Sequence, residues 1–228
     1  MKTKRPIFII FIAALLMPLL HACLDDDTTN HHQLTIGTIK VVDGQEYYFA
    51  LDEGTKMYPG DTTNIHNYTV VPEQRAFVYF DLLEEKVSGY DYNAAIYRIE
   101  NILTKDIYLM PAEKEDSIGD DRINITNMWI ANDHLNIQYQ IHYDDTSNKS
   151  HMLNLIVNEA ADDKNDKEDY LTLEFRHNAY GEAQRKLGPG IVSFRLNNIR
   201  QLAEGKRGLN IRVNTLYNGI SYQTIDFQ

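Results

Sequence analysis

A single cysteine, Cys23, stands in 228 residues, so no disulfide within the chain can hold the fold. Basic residues are in short supply: 22 Lys and Arg against 33 Asp and Glu leave a net charge of −11. Such a surface repels phosphate backbones, whose binding relies on Lys and Arg releasing counterions, so nucleic acid is not an expected partner. Catalytic signatures are also missing, since no GxSxG, glycine-rich phosphate loop or HExxH sequence occurs. No apolar run reaches the roughly 20 residues that an α-helical membrane span needs. The core must therefore come from apolar burial, and roughly 205 residues beyond the leader suffice for one large or two ordinary domains.

The leader itself, "MKTKRPIFIIFIAALLMPLLHAC", opens with Lys2, Lys4 and Arg5 and continues into an apolar stretch over residues 7–20. That order predicts a signal peptide over residues 1–22. The rival reading, a spanning helix, is disfavoured because the run is short and broken by Pro18. Leu20-His21-Ala22-Cys23 looks like a bacterial lipobox, with His21 its one unusual residue. Cleavage before Cys23 and acylation of its thiol would anchor the chain in a membrane without a spanning helix. Removing the three basic residues of the leader brings the mature chain to about −14. Residues 23–32 read as a polar tether. Within it, Asp25, Asp26 and Asp27 resemble an acidic signal that directs lipoproteins to the cell surface, although a plain solvating linker has the same composition.

Beyond the tether the chain alternates apolar and polar residues, the period of β-strands. "QLTIGTIKVV" is expected to point Leu34, Ile36, Ile39 and Val41 inward, with Gly37 at a bulge or close approach. Asp43-Gly44 signals a hairpin into "EYYFALD". Residues 52–74 are rich in Gly, Pro, Asn and Thr and read as turns. "RAFVYFDLLEEK" and "AAIYRIENI" then return as strands. Four or five strands in so short a span predict an OB-like barrel over residues 33–103. A charged segment with Pro111 and Gly119 marks a boundary region. After it come a turn at Ala131-Asn132-Asp133, the alternating strand Leu135, Ile137, Tyr139, Ile141, Tyr143, and the runs "HMLNLIV", "DYLTLEFRH", "GIVSFRL", "LNIRVNT" and "YQTIDF". This spacing predicts a β-sandwich over residues 104–228, making the whole chain all-β.

"DSIGDDRINITNMWIANDHLNIQYQIHY" and "YLTLEFRHNAYGE" followed by "GIVSFRL" resemble the NigD-like lipoproteins of Bacteroidetes. The resemblance extends through the lipobox and the Asp-Gly hairpin. It implies an N-terminal OB domain, a C-terminal β-sandwich and an outer-membrane lipoprotein with a suggested link to bacteriocin immunity. It supplies no catalytic residues.

The most suggestive polar cluster is "EFRHNAYG", which gathers Glu174, Arg176, His177, Asn178 and Tyr180 near the end of a strand. Read as a site, it offers acid, base and hydrogen-bonding groups for a ligand, or a pocket for hydrolysis around His177. Read as architecture, it is an exposed ion pair followed by a turn that His177 begins. No nucleophile pairs with this histidine in a known motif, so no enzyme activity is expected. His31 and His32 lie near three carboxylates, but adjacent histidines on a tether do not fix metal geometry. The acidic loop "ADDKNDKED" lacks the spacing of an EF-hand. No metal or cofactor is therefore expected. Fifteen tyrosines, some clustered in "GYDYN" and "LYNGISY", suit a surface that binds protein or sugar. A toxin, a toxin receptor or a glycan are the partners that follow.

Overall fold

The computed structural model describes residues 32–44, 46–111, 114–158 and 167–227. The leader, Cys23, Asp25, Asp26, Asp27 and His31 lie outside these residues, as does most of the acidic loop near residue 161. From His32 onward the chain forms one compact unit.

Five strands close a barrel: β1 (Gln33–Asp43), β2 (Glu46–Leu51), β3 (Lys56–Asp61), β4 (Arg75–Leu82) and β5 (Tyr92–Asn101), in the order β1-β2-β3-β5-β4. The Asp43-Gly44 hairpin forms as the turn chemistry requires, with Asp43 opposite Glu46 and Gly44 at φ +57°. Inside lie Ile39, Phe49, Met57, Val78 and Ile96, all fully buried. Each such side chain contributes about 1.5–3 kcal/mol through removal from water.

Two expectations for the barrel fail. Leu34 points outward, 54% exposed, because β1 alternates strictly: Gly37, Ile39 and Val41 lie opposite Leu51, Phe49 and Tyr47 on the inner face, which puts Leu34 and Ile36 on the outer one. Thr38 is buried on that outer side, where it accepts from Arg75. At Gly37 and Thr38 the strand pairs on both edges, with β2 and with β4. A Cβ at Gly37 would sit 3.1 Å from that of Phe49 and 3.2 Å from Leu51 Cδ2, so this glycine permits a close approach. The second correction is β3, which arises within residues read as turns. Pro59 cannot donate a ladder hydrogen bond, and the register shifts between Pro59 and Asp61 where β3 runs parallel to β5.

The sandwich sets one sheet, β14-β13-β11-β10-β7, against another, β6-β12-β9-β8. Its strands are β6 (Leu103–Asp106), β7 (Tyr108–Met110), β8 (Asn124–Ala131), β9 (His134–Tyr143), β10 (Met152–Asn158), β11 (Tyr170–Asn178), β12 (Lys186–Arg195), β13 (Gly208–Thr215) and β14 (Gly219–Asp226). The chain enters through β6, crosses between the sheets at buried Ile107 and continues as β7 in the opposite layer. Asn132 and Asp133, both at positive φ, turn β8 into β9. Leu135, Ile137, Leu155, Leu173, Phe175, Phe194, Ile211 and Val213 share the core. A short helix, α1 (Glu115–Ile118), closes over the outer face of the first sheet, where Ile118 packs with Met110 and Ile156.

Candidate functional site

Alternation along β11 divides the polar cluster named from sequence. Leu173, Phe175 and His177 face the core, whereas Glu174 and Arg176 face the opposite side. That side is not solvent. The segment from α1 through Asp120 covers it, leaving the Glu174 and Arg176 side chains 5% and 7% exposed. The ion pair expected on the surface is therefore buried. Arg176 Nε donates to Glu174 Oε2, Asn158 Nδ2 donates to Glu174 Oε1 at 3.1 Å, and Arg212 makes two hydrogen bonds to Asp120 at 2.8 and 3.1 Å. Asp120 holds the Arg212 guanidinium above its ordinary value. These charges mainly satisfy one another, as buried ionic groups must.

His177 lies within β11, opposite Leu153, rather than starting the turn. Only 2% exposed, it engages both ring nitrogens: Nδ1 meets the Arg122 carbonyl at 3.2 Å and Nε2 meets His151 Nδ1 at 2.9 Å. His151 Nε2 in turn reaches Glu182 Oε2 at 2.6 Å. Burial, then the neighbouring His151, push His177 below the usual histidine value. Glu182 is pulled down to about 2 by hydrogen bonds from the Ser147 hydroxyl, the Asp144 amide and His151. Asn178 Oδ1 accepts the Tyr180 amide at 2.8 Å, and Tyr180 stands at φ +51° with 52% exposure. The five residues thus fall on two faces and a corner, and no single cleft gathers them.

The barrel holds what sequence reasoning missed. Tyr48 on β2 and Tyr58 on β3 point outward beside the inward Phe49 and Met57, and Tyr90 from the β4–β5 loop joins them. Ring centroids are 5.7 Å apart for Tyr48 and Tyr90 and 5.1 Å for Tyr58 and Tyr90. Lys56 Nζ stands 5.6 Å from the Tyr48 ring. Half-buried tyrosine rings clustered on an outer face suit recognition of another macromolecule. The "GYDYN" motif signalled Tyr90, but only the pairing of β2 with β3 brings Tyr48 and Tyr58 to it. At the hairpin end of the barrel, Tyr47, Ile65, Tyr68 and Val70 line a cleft of about 550 Å³. Burial and the adjacent Tyr47 push Tyr68 up to about 12. Among the described residues, no group of three or more His, Cys, Asp or Glu is disposed to hold a metal.

The family described as the NigD-like C-terminal beta sandwich domain matches residues 106–227, and the NigD-like N-terminal OB domain matches residues 36–102. The chain belongs to the NigD-like family. Among solved structures, a candidate toxin-related protein of Parabacteroides distasonis is similar at 29% identity and TM-score 0.70, over 86% of this chain and 93% of that one. A NigD-like immunity protein of Bacteroides caccae shares the fold at 14% identity and TM-score 0.60, over 84% and 92%. So does a candidate lipoprotein of Bacteroides fragilis, at 12% identity and TM-score 0.61, over 86% and 99%. No curated protein matches the chain.

The two NigD-like domains meet through a fully buried guanidinium. Arg75 opens β4 and makes two hydrogen bonds to Asp52, with the Nη2–Oδ2 distance 2.8 Å. It also donates to Thr38 Oγ1 and, across the interface, to Asn136 Oδ1, both at 3.1 Å. Trp129 of the sandwich donates its indole N–H to Asp52 Oδ2 at 2.7 Å, and Asn132 Nδ2 donates to the Ala50 carbonyl at 3.0 Å. Directional bonds from both domains converge on one buried charge, which fixes their relative orientation.

Proposed function

We propose that this NigD-like protein is a lipid-anchored protein of the outer membrane that acts by binding another protein rather than by catalysis. Bacteriocin immunity is the sharpest version: the tethered barrel captures a toxin or shields the toxin's receptor. The observation that carries this reading is the convergence of Tyr48, Tyr58 and Tyr90 on the outside of the barrel, while the ionic groups of the sandwich are engaged internally. The immunity and toxin-related descriptions of structural neighbours support the partner class. Anchoring rests on Cys23 and its lipobox-like context, which the lipoprotein description of a neighbour supports; surface display rests on Asp25, Asp26 and Asp27 alone.

Deleting the gene from a toxin-producing strain should sensitise that strain to its matching toxin, and unchanged killing curves would count against immunity. Cys23→Ala should abolish incorporation of labelled fatty acid and leave the leader attached. Protease added to intact cells should remove the protein; survival until lysis would refute surface display. The tyrosine trio also favours a second reading, a glycan-binding accessory protein, because clustered, tilted tyrosine rings offer apolar faces beside hydroxyls that suit sugars. A glycan array without hits removes that reading.

A further inference from the structure

Proton counting along one buried chain of groups leads beyond binding. Glu182, His151, His177 and the Arg122 carbonyl are joined by three contacts of 2.6, 2.9 and 3.2 Å. The last acceptor is a carbonyl, so His177 Nδ1 must carry hydrogen. The first is a carboxylate, so His151 Nε2 must carry hydrogen. If both rings were neutral, each would then have spent its only proton, and His177 Nε2 and His151 Nδ1 would face each other as two lone pairs at 2.9 Å. Three hydrogen bonds need three protons, and two neutral imidazoles supply two.

We propose that His151, His177 and Glu182 form a one-proton clasp: the histidine pair holds a third proton, balanced by Glu182, and this proton fastens residues 144–151 to the corner at residues 179–185. With it, the buried triad is neutral. Without it, the triad carries an unbalanced negative charge and opposed lone pairs, in side chains that are 8% exposed at His151 and 4% at Glu182. Burial disfavours both conditions. The depressed Glu182 keeps the proton on the rings, and burial disfavours charge on the His177 ring.

The surrounding charges have other partners. Asp121 accepts the Ala179 amide at 2.7 Å, and its own amide donates to the His177 carbonyl at 2.8 Å. Asp144 pairs with Arg185 at 2.9 Å. Lys149 reaches the Tyr180 carbonyl at 3.2 Å, Lys186 pairs with Asp145, and Arg122 turns away to the Leu216 carbonyl at 3.1 Å. The Asp144 amide donates to Glu182 Oε2 at 3.0 Å, which couples the loop directly to the clasp. Deprotonation at alkaline pH therefore weakens the attachment of this loop.

The test is long-range proton–nitrogen NMR on the full-length chain, labelled at histidine and held in detergent, from acid to alkaline pH. At neutral pH one ring should carry protons on both nitrogens while its partner carries one on Nδ1. The pair should lose the third proton in a single step, and the Asp144 amide signal should move with the same midpoint. Glu182→Gln should lower that midpoint by about one pH unit, a tenfold loss in proton affinity. Two neutral rings at neutral pH, or two independent titrations, would overturn the proposal, and both are read on the unmutated protein. A midpoint unmoved by Glu182→Gln would overturn it equally.

Discussion

Removing the Asp52 carboxylate tests how the two domains are held together. In Asp52→Ala the Arg75 guanidinium stays fully buried and loses both hydrogen bonds to its counter-ion, keeping only Thr38 and Asn136. Leaving one charge of a buried pair uncompensated costs about 3–5 kcal/mol. For a unit of this size each kcal/mol lowers the melting temperature by about 2–4 °C, so the loss is about 6–20 °C. Arg75→Met should cost less. The Asp52 it strands is 22% exposed, can be hydrated and still accepts the Trp129 indole N–H. Urea unfolding followed by fluorescence of Trp129, the chain's one tryptophan, and by far-ultraviolet circular dichroism measures both variants. A loss below about 1 kcal/mol in Asp52→Ala, well under the cost of a stranded buried charge, would refute the reasoning. So would a larger loss in Arg75→Met.

Other substitutions probe separate regions. Gly208→Ala would put a Cβ against the Ile225 carbonyl and 2.8 Å from Asp226 Cα; backbone cannot yield as a side chain can, so denaturation should show a loss of about 1–3 kcal/mol. Because the folded Glu182 carboxyl is depressed from 4.5 to about 2, its stabilisation is full above the unfolded value and is lost as pH falls from about 4.5 towards 2. Melting temperature against pH should show this acid limb in the native protein and a shallower one in Glu182→Gln. Tyr58→Ala should cost no more than about 1.5 kcal/mol in stability yet abolish protection in the toxin challenge; full protection would move the binding surface away from the tyrosine trio.

Strand positions were legible wherever one face is buried and the other wet. Leu135 to Tyr143 alternates cleanly, and Asp43-Gly44 and Asn132-Asp133 supply the backbone freedom their hairpins need. Alternation also separated Glu174 and Arg176 from Leu173 and Phe175. It could not reveal that residues 114–121 fold back over the polar face, because burial there comes from a segment more than 50 residues away in sequence. The same limit hid His151 and Glu182 from His177, and Tyr48 and Tyr58 from Tyr90. Leu34 misled because apolar residues stand at both even and odd positions of β1, and with Ile39 and Val41 inward strict alternation turns Leu34 and Ile36 outward; β3 escaped notice because it contains Pro59 and Gly60.

The double pairing of β1 has a mechanical consequence. Its first six residues are zipped to β4, from Gln33 opposite Phe80 to Thr38 opposite Arg75, and from Gly37 onward it is also held by β2. Immediately before it, His32 bonds Asp81 at 3.0 Å and stacks on Tyr97 with centroids 3.5 Å apart. A pull arriving from the N-terminal side must first break that contact and then drag a strand out of a closed barrel along its length, loading many backbone hydrogen bonds in shear at once. Load reaching the chain through residue 32 therefore meets a strand held along both edges.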